Sequence, residues 1–78
     1  MSKYRFHYQD GVDLHADLDG SEFETIAEAR AEAIRTARNI MSQEVQRGRL
    51  DLTATISVED DEGAVTTVLF SDAIEIRS

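Results

Sequence analysis

Residues 25–48 read TIAEARAEAIRTARNIMSQEVQRG, and this stretch decides the fold. It opens on Thr25-Ile26-Ala27-Glu28, a capping box in which the threonine hydroxyl accepts the N–H three residues on and the glutamate reaches back. Alanines and straight-chain helix formers continue to Arg47, and Gly48 stands where a left-handed residue closes a helix. The segment predicts one helix over 26–47, about 33 Å long at the standard rise. At about 100° per residue, Ile26, Ala29, Ala33, Ala37, Ile40 and Met41 share one stripe, widened by Ile34 and Val45. The small residues in its middle let the helix backbone approach a sheet closely, with bulk supplied from beneath. Glu32, Arg35, Arg38, Asn39, Gln43 and Gln46 take the opposite side. Arg30 and Glu44 fall within the apolar stripe and break the pattern.

Ahead of the helix, Tyr4, Phe6 and Tyr8 alternate with Arg5, His7 and Gln9, the period of a half-buried strand. A turn at Asp10-Gly11 returns the chain, giving a hairpin over 4–16. A three-residue loop through Val12 sets Tyr8 opposite Leu14, Phe6 opposite Ala16, and His7 opposite His15 on the outer face. An acidic loop over 17–24 leads to the helix. Beyond it, a second hairpin over 52–70 turns at Asp60-Asp61-Glu62-Gly63. Leu52, Ala54, Ile56 and Val58 form one face of its first strand. Its second strand is apolar on both faces, so Val68 and Phe70 are expected to remain outside, joined by Ile74 and Ile76 of the tail at 71–78. The expectation is an α+β domain of ββαββ order, a four-stranded, mainly antiparallel sheet covered on one face by one helix.

With 78 residues there is room for one core. A chain of this size buries about 60% of its unfolded surface, a thin margin that good packing or self-association must supplement. The absence of cysteine excludes disulfides and thiolate metal sites and fits a reducing, cytoplasmic setting. No apolar run follows the opening MSKYRF, so neither a signal peptide nor a membrane anchor is expected. Sixteen acidic against eight basic residues give a net charge of −8, which repels phosphate backbones and anionic lipid and favours a basic protein partner.

Phe6-His7, Asp10-Gly11, Asp19-x-x-Glu22, Glu28-Ala29-Arg30-x-Glu32-Ala33 and Phe70-x-Asp72-Ala73 resemble a family of small alphaproteobacterial proteins catalogued as a domain of unknown function. The resemblance covers nearly the whole chain, implies a stand-alone domain, and brings no activity. A looser likeness, an N-terminal strand, a D-x-D-G loop and a T-x-x-E-A helix start, is to the sensor half of HicB-type antitoxins.

Among candidate sites, His7 and His15 paired across a hairpin could hold zinc or another divalent ion with Asp13 or Asp17. Two solvated histidines are the plainer account. The acidic loop fails the calcium-loop template, whose first and twelfth positions would fall on His15 and Ile26. Arg30, on the core-facing stripe, requires a carboxylate from Asp10, Asp19, Glu22 or Asp72, which would clamp the loop or tail to the helix. An anion site at Arg30 is disfavoured by the acidic surroundings, and the aromatic stripe reads as core packing and not as a base-stacking platform. No glycine-rich phosphate loop is present and no motif ties a serine to a histidine and an acid, so neither catalysis nor a cofactor is expected. The leading reading is a non-enzymatic binding or regulatory protein, homodimeric through its outer sheet surface at Val68, Phe70, Ile74 and Ile76. The alternatives are an antitoxin-like module for a basic partner and a metal-binding histidine pair.

Overall fold

A computed structural model of the chain describes residues 1–11, 13–75 and 77. Strands β1 (Ser2–Asp10), β2 (Asp13–His15) and β3 (Ser21–Phe23) precede helix α1 (Ile26–Gln46), and β4 (Thr55–Glu59) and β5 (Val65–Leu69) follow it. A single 3-10 turn, Phe70–Asp72, follows the last strand. The class is α+β, one long helix on an antiparallel sheet, but the sheet has five strands where four were expected. Its order is β2-β1-β4-β5, with β3 pairing the start of β1.

Both helix ends follow from their sequence. Thr25 is extended and its Oγ1 accepts the Glu28 N–H at 3.2 Å, while Glu28 Oε2 reaches one residue further back, to the Glu24 N–H at 3.4 Å. At the other end Gly48 takes φ 85°, which places the Arg49 N–H on the Glu44 carbonyl and the Gly48 N–H on that of Val45. This closure turns residues 49–51 back toward the β1–β2 hairpin.

Ala29, Ala33 and Ala37 are fully buried and bring α1 down onto Ile56, Val58, Val68 and Phe70. Tyr4, Phe6 and Tyr8 lie on the same face, since Phe6 pairs with Val58 and Tyr8 with Ile56. Phe23 packs edge-on against Phe6 at 5.8 Å, and Phe70 stacks on Tyr8 at 5.6 Å. The aromatic stripe is thus occupied in packing.

Several expectations are corrected. The β1–β2 register pairs Tyr8 with His15 and Asp10 with Asp13, one residue tighter than expected. The shorter turn is stabilised by the His15 ring stacked on Tyr8 at 5.5 Å, and it leaves Leu14 exposed on the outer face. Val68 and Phe70, expected outside, are 1% and 0% exposed and form the centre of the core. β5 therefore turns Val65 and Leu69 outward. Ile74 is half-buried against the core, and Ile76 lies outside the described residues. The second hairpin's first strand begins at Thr55, not 52. Arg30 is exposed and takes part in none of the ion pairs among the described residues. Ile26, on the same stripe, is exposed too: the stripe is covered by the sheet only from Ala29 onward. The expected clamp exists at Arg38 instead, whose Nε donates to the Ala73 carbonyl at 2.7 Å and ties the tail to the helix.

Candidate functional site

Three segments meet where α1 ends. The Schellman closure at Gly48 delivers Arg49, Leu50 and Asp51, the β1–β2 turn delivers Asp10, Gly11 and Asp13, and the last helical turn delivers Glu44. Together they enclose an open cleft of about 420 Å³. Four carboxyl groups and one guanidinium line it. The helix C-terminus adds the negative end of its dipole, and no basic residue stands in the last turn to offset it.

Glu44 is the anomaly that the helical stripe announced, and only 9% of it is exposed. Its Oε2 lies 3.8 Å from Arg49 Nε, a loose contact with an arginine side chain that is 77% exposed. Its Oε1 is shielded from solvent and has no hydrogen-bond partner. A buried acceptor left unpaired costs the fold its full desolvation, about 1–3 kcal/mol or more for a charged oxygen. Two of the neighbouring acids, Asp51 and Asp10, are held by hydrogen bonds. Asp51 accepts from Thr53 N at 2.8 Å and Thr53 Oγ1 at 2.6 Å, and these two bonds hold its carboxyl below the usual range. The Tyr8 hydroxyl donates to Asp10 Oδ2 at 3.0 Å. Burial, reinforced by Asp10 and then by the charges of Glu44 and Asp51, pushes that hydroxyl up to about 12, so it remains a donor.

A second polar cluster forms around His7 on the outer face. Its Nδ1 accepts the Asp17 N–H at 3.1 Å, so Nε2 carries the proton and donates to Glu59 Oε1 at 2.9 Å. Asp17 in turn accepts from the backbone N–H groups of Gly20 at 3.0 Å, Asp19 at 3.1 Å and Phe6 at 3.2 Å. The bond from Gly20, with those from Phe6 and Asp19, lowers its carboxyl below the ordinary value against the opposing effect of burial. Gly20 takes φ 75°, and a Cβ there would stand 3.0 Å from the Tyr4 carbonyl.

This geometry separates the residues expected to hold a metal. His15 sits over Tyr8 on the helix side, while His7, one residue along, faces outward, and both Asp17 oxygens are taken by backbone donors. The one-residue shift in register is the cause. Among the described residues no three histidine or carboxylate groups are placed to hold a metal ion. The cleft itself was visible in sequence only as the misplaced Glu44; nothing in the spacing of Asp10, Asp13 and Asp51 brings them to it.

Among the described residues no helix covers the outer sheet face. Lys3, Arg5, His7 and Gln9 of β1 lie beside Thr55, Ser57 and Glu59 of β4 and Val65, Thr67 and Leu69 of β5. β5 lies at one edge of the sheet, and β2 and β3 lie at the other. No helix among the described residues is long and apolar enough to cross a membrane.

Residues 3–71 match the model of a family described as a domain of unknown function, DUF6894, and the chain belongs to that family. No curated protein and no solved structure matches it.

Proposed function

We propose, with membership of a family that carries no assigned activity as the premise, that the chain is a non-enzymatic, cytoplasmic binding protein that works as a homodimer joined along β5. One observation carries the reading. The free edge strand, Val65-Thr66-Thr67-Val68-Leu69, has no charge and no proline, the devices that normally blunt an edge. It also turns Val65 and Leu69 outward, 58% and 44% exposed. Antiparallel pairing of two copies about Thr67 sets Val65 of one against Leu69 of the other, an apolar cross-strand pair repeated by symmetry. Light scattering on the wild type and on Leu69→Lys tests this, with circular dichroism as the folding control. A dimer that the substitution converts to a folded monomer supports the reading, and a monomeric wild type removes it.

A second reading, an antitoxin-like module for a basic protein partner, is favoured by the cleft, where four carboxyl groups meet the negative end of a helix. Its test is copurification with a basic protein from the source cell.

A further inference from the structure

We propose that His7 is a proton-operated latch for the loop at residues 16–20: the neutral ring holds the Asp17 backbone against β1, and proton uptake at Nδ1 releases it. The latch is independent of both readings above and works whether or not β5 pairs with a second copy.

The donor in the decisive contact is a backbone N–H, which cannot reverse its role. The Asp17 nitrogen lies 3.1 Å from His7 Nδ1, so Nδ1 keeps its lone pair, and the ring's one proton sits on Nε2, 2.9 Å from Glu59 Oε1. Both ring nitrogens are therefore engaged, one by the loop and one by β4. A second proton can enter only at Nδ1, where it meets the Asp17 N–H, donor against donor. At the same time the bond to Glu59 becomes charge-assisted and stronger, so the ring stays on β4 and the loop gives way. Gly20 is the fixed end about which the loop moves, packed against β1 where a Cβ would stand 3.0 Å from the Tyr4 carbonyl.

The charged groups that face the ring from its neighbours are Glu59 of β4 and Asp17 of the loop, with Asp19 exposed two residues on. Thr55 and Ser57 of β4, Thr67 of β5 and Leu14 of β2 share the outer face and carry no charge. On β1 itself Arg5 and Lys3 stand on that face, and Glu22 of β3 pairs with Lys3. The Gly20 N–H, with those of Phe6 and Asp19, holds the Asp17 carboxyl below its ordinary 3.8, so it is still ionised while an imidazole titrates, at about pH 5–8. A charged His7 then competes with these N–H groups for the carboxylate, and the Phe6 N–H loosens together with the loop. His15 is an internal control, because its ring lies over Tyr8 on the other face and makes no hydrogen bond among the described residues.

The experiment is NMR of the full chain from about pH 8 to about pH 5. Imidazole nitrogen shifts read the tautomer and the titration of each histidine. Amide hydrogen exchange, corrected for its intrinsic pH dependence, reads protection at Phe6, Asp17, Asp19 and Gly20, with β4 as the reference. Neutral His7 is expected as the Nε2–H tautomer. Protection at Asp17 and Phe6 is expected to fall about tenfold, the equivalent of one hydrogen bond, along the His7 titration curve while β4 is unchanged. His7→Gln, whose amide oxygen accepts a hydrogen bond without titrating in this range, removes the step. An Nδ1–H tautomer for neutral His7 overturns the latch, as does protection that stays flat while His7 titrates. A step that survives His7→Gln, or a loss spread evenly over all strands, overturns it too. Should His7→Gln fail to fold, the wild-type tautomer and the coincidence of the two curves still decide.

Discussion

The His15 ring lies over the Tyr8 ring, centroids 5.5 Å apart and planes 18° from parallel, on the helix side of the β1–β2 hairpin. This contact and the pairing of Asp10 with Asp13 fix a turn one residue shorter than the alternation of Tyr4, Phe6 and Tyr8 alone suggests. From that shift follow the separation of the two histidines and the placing of Asp13 beside Asp10 at the cleft.

Tyr8 is expected to ionise above the ordinary tyrosine range. Its hydroxyl is raised from 10.0 to about 12, first by burial and then by Asp10, so a spectrophotometric titration resolves one tyrosine there. A raised folded value leaves stability intact below pH 10 and removes it as pH climbs from 10.0 toward about 12. Tyr8→Phe abolishes that alkaline loss and costs about 1 kcal/mol at neutral pH through the missing bond to Asp10, measured by urea denaturation.

Asp17→Ala removes the acceptor of three backbone N–H groups and loosens the link between the acidic loop and β1. A loss of about 1–2 kcal/mol in urea is expected for this half-buried group. Because the folded value is lowered, Asp17 stabilises above its unfolded value of 3.8, and the contribution fades as acid titrates the carboxylate below it. The variant therefore shows a flatter acid limb than the wild type.

Glu44→Met should raise stability. Methionine fills a similar volume without leaving an unpaired oxygen, and it relieves repulsion from the neighbouring acids. A gain of about 1 kcal/mol, or about 4–8 °C in melting temperature for a domain of this size, is expected by calorimetry. An unchanged or lower melting temperature would show that the buried carboxylate is already compensated.

The last residue of β5 and the first of the 3-10 turn after it separate the two faces. Phe70→Ala empties a fully buried site and costs about 3–5 kcal/mol, enough to bring a domain of this length near unfolding. Leu69→Ala, one residue earlier and facing outward, changes the stability of the isolated chain by about 0.5 kcal/mol or less. Similar losses at both positions would contradict the assignment of faces.

The parts legible in sequence were those encoded locally. Thr25, Glu28 and Gly48 mark both ends of α1, and the alternations at Tyr4–Tyr8 and Ala54–Val58 give two strands with their buried faces. β3 was hidden because three residues carry no period, and it exists only through pairing with β1. Arg30 and Arg38 exchanged roles because a helical wheel shows direction around the axis but not where along it the sheet begins to cover the stripe. Val68 and Phe70 could not be placed from a strand apolar on both sides; the helix position decides which side is inside. Glu44 was legible as an exception, but its neighbours in the cleft come from a turn register and a helix closure set by tertiary contacts.

The far edge of β1 has a different fate from β5. β3 covers its first residues and β2 its last, and in the gap between them the Asp17 carboxylate accepts the Phe6 N–H where a strand would otherwise add its carbonyl. A side chain caps the ladder at this one point, with β2 and β3 outermost on either side of it. One margin of the sheet is therefore broken into two strands of three residues with a carboxylate between them, while the other is an unbroken strand of five.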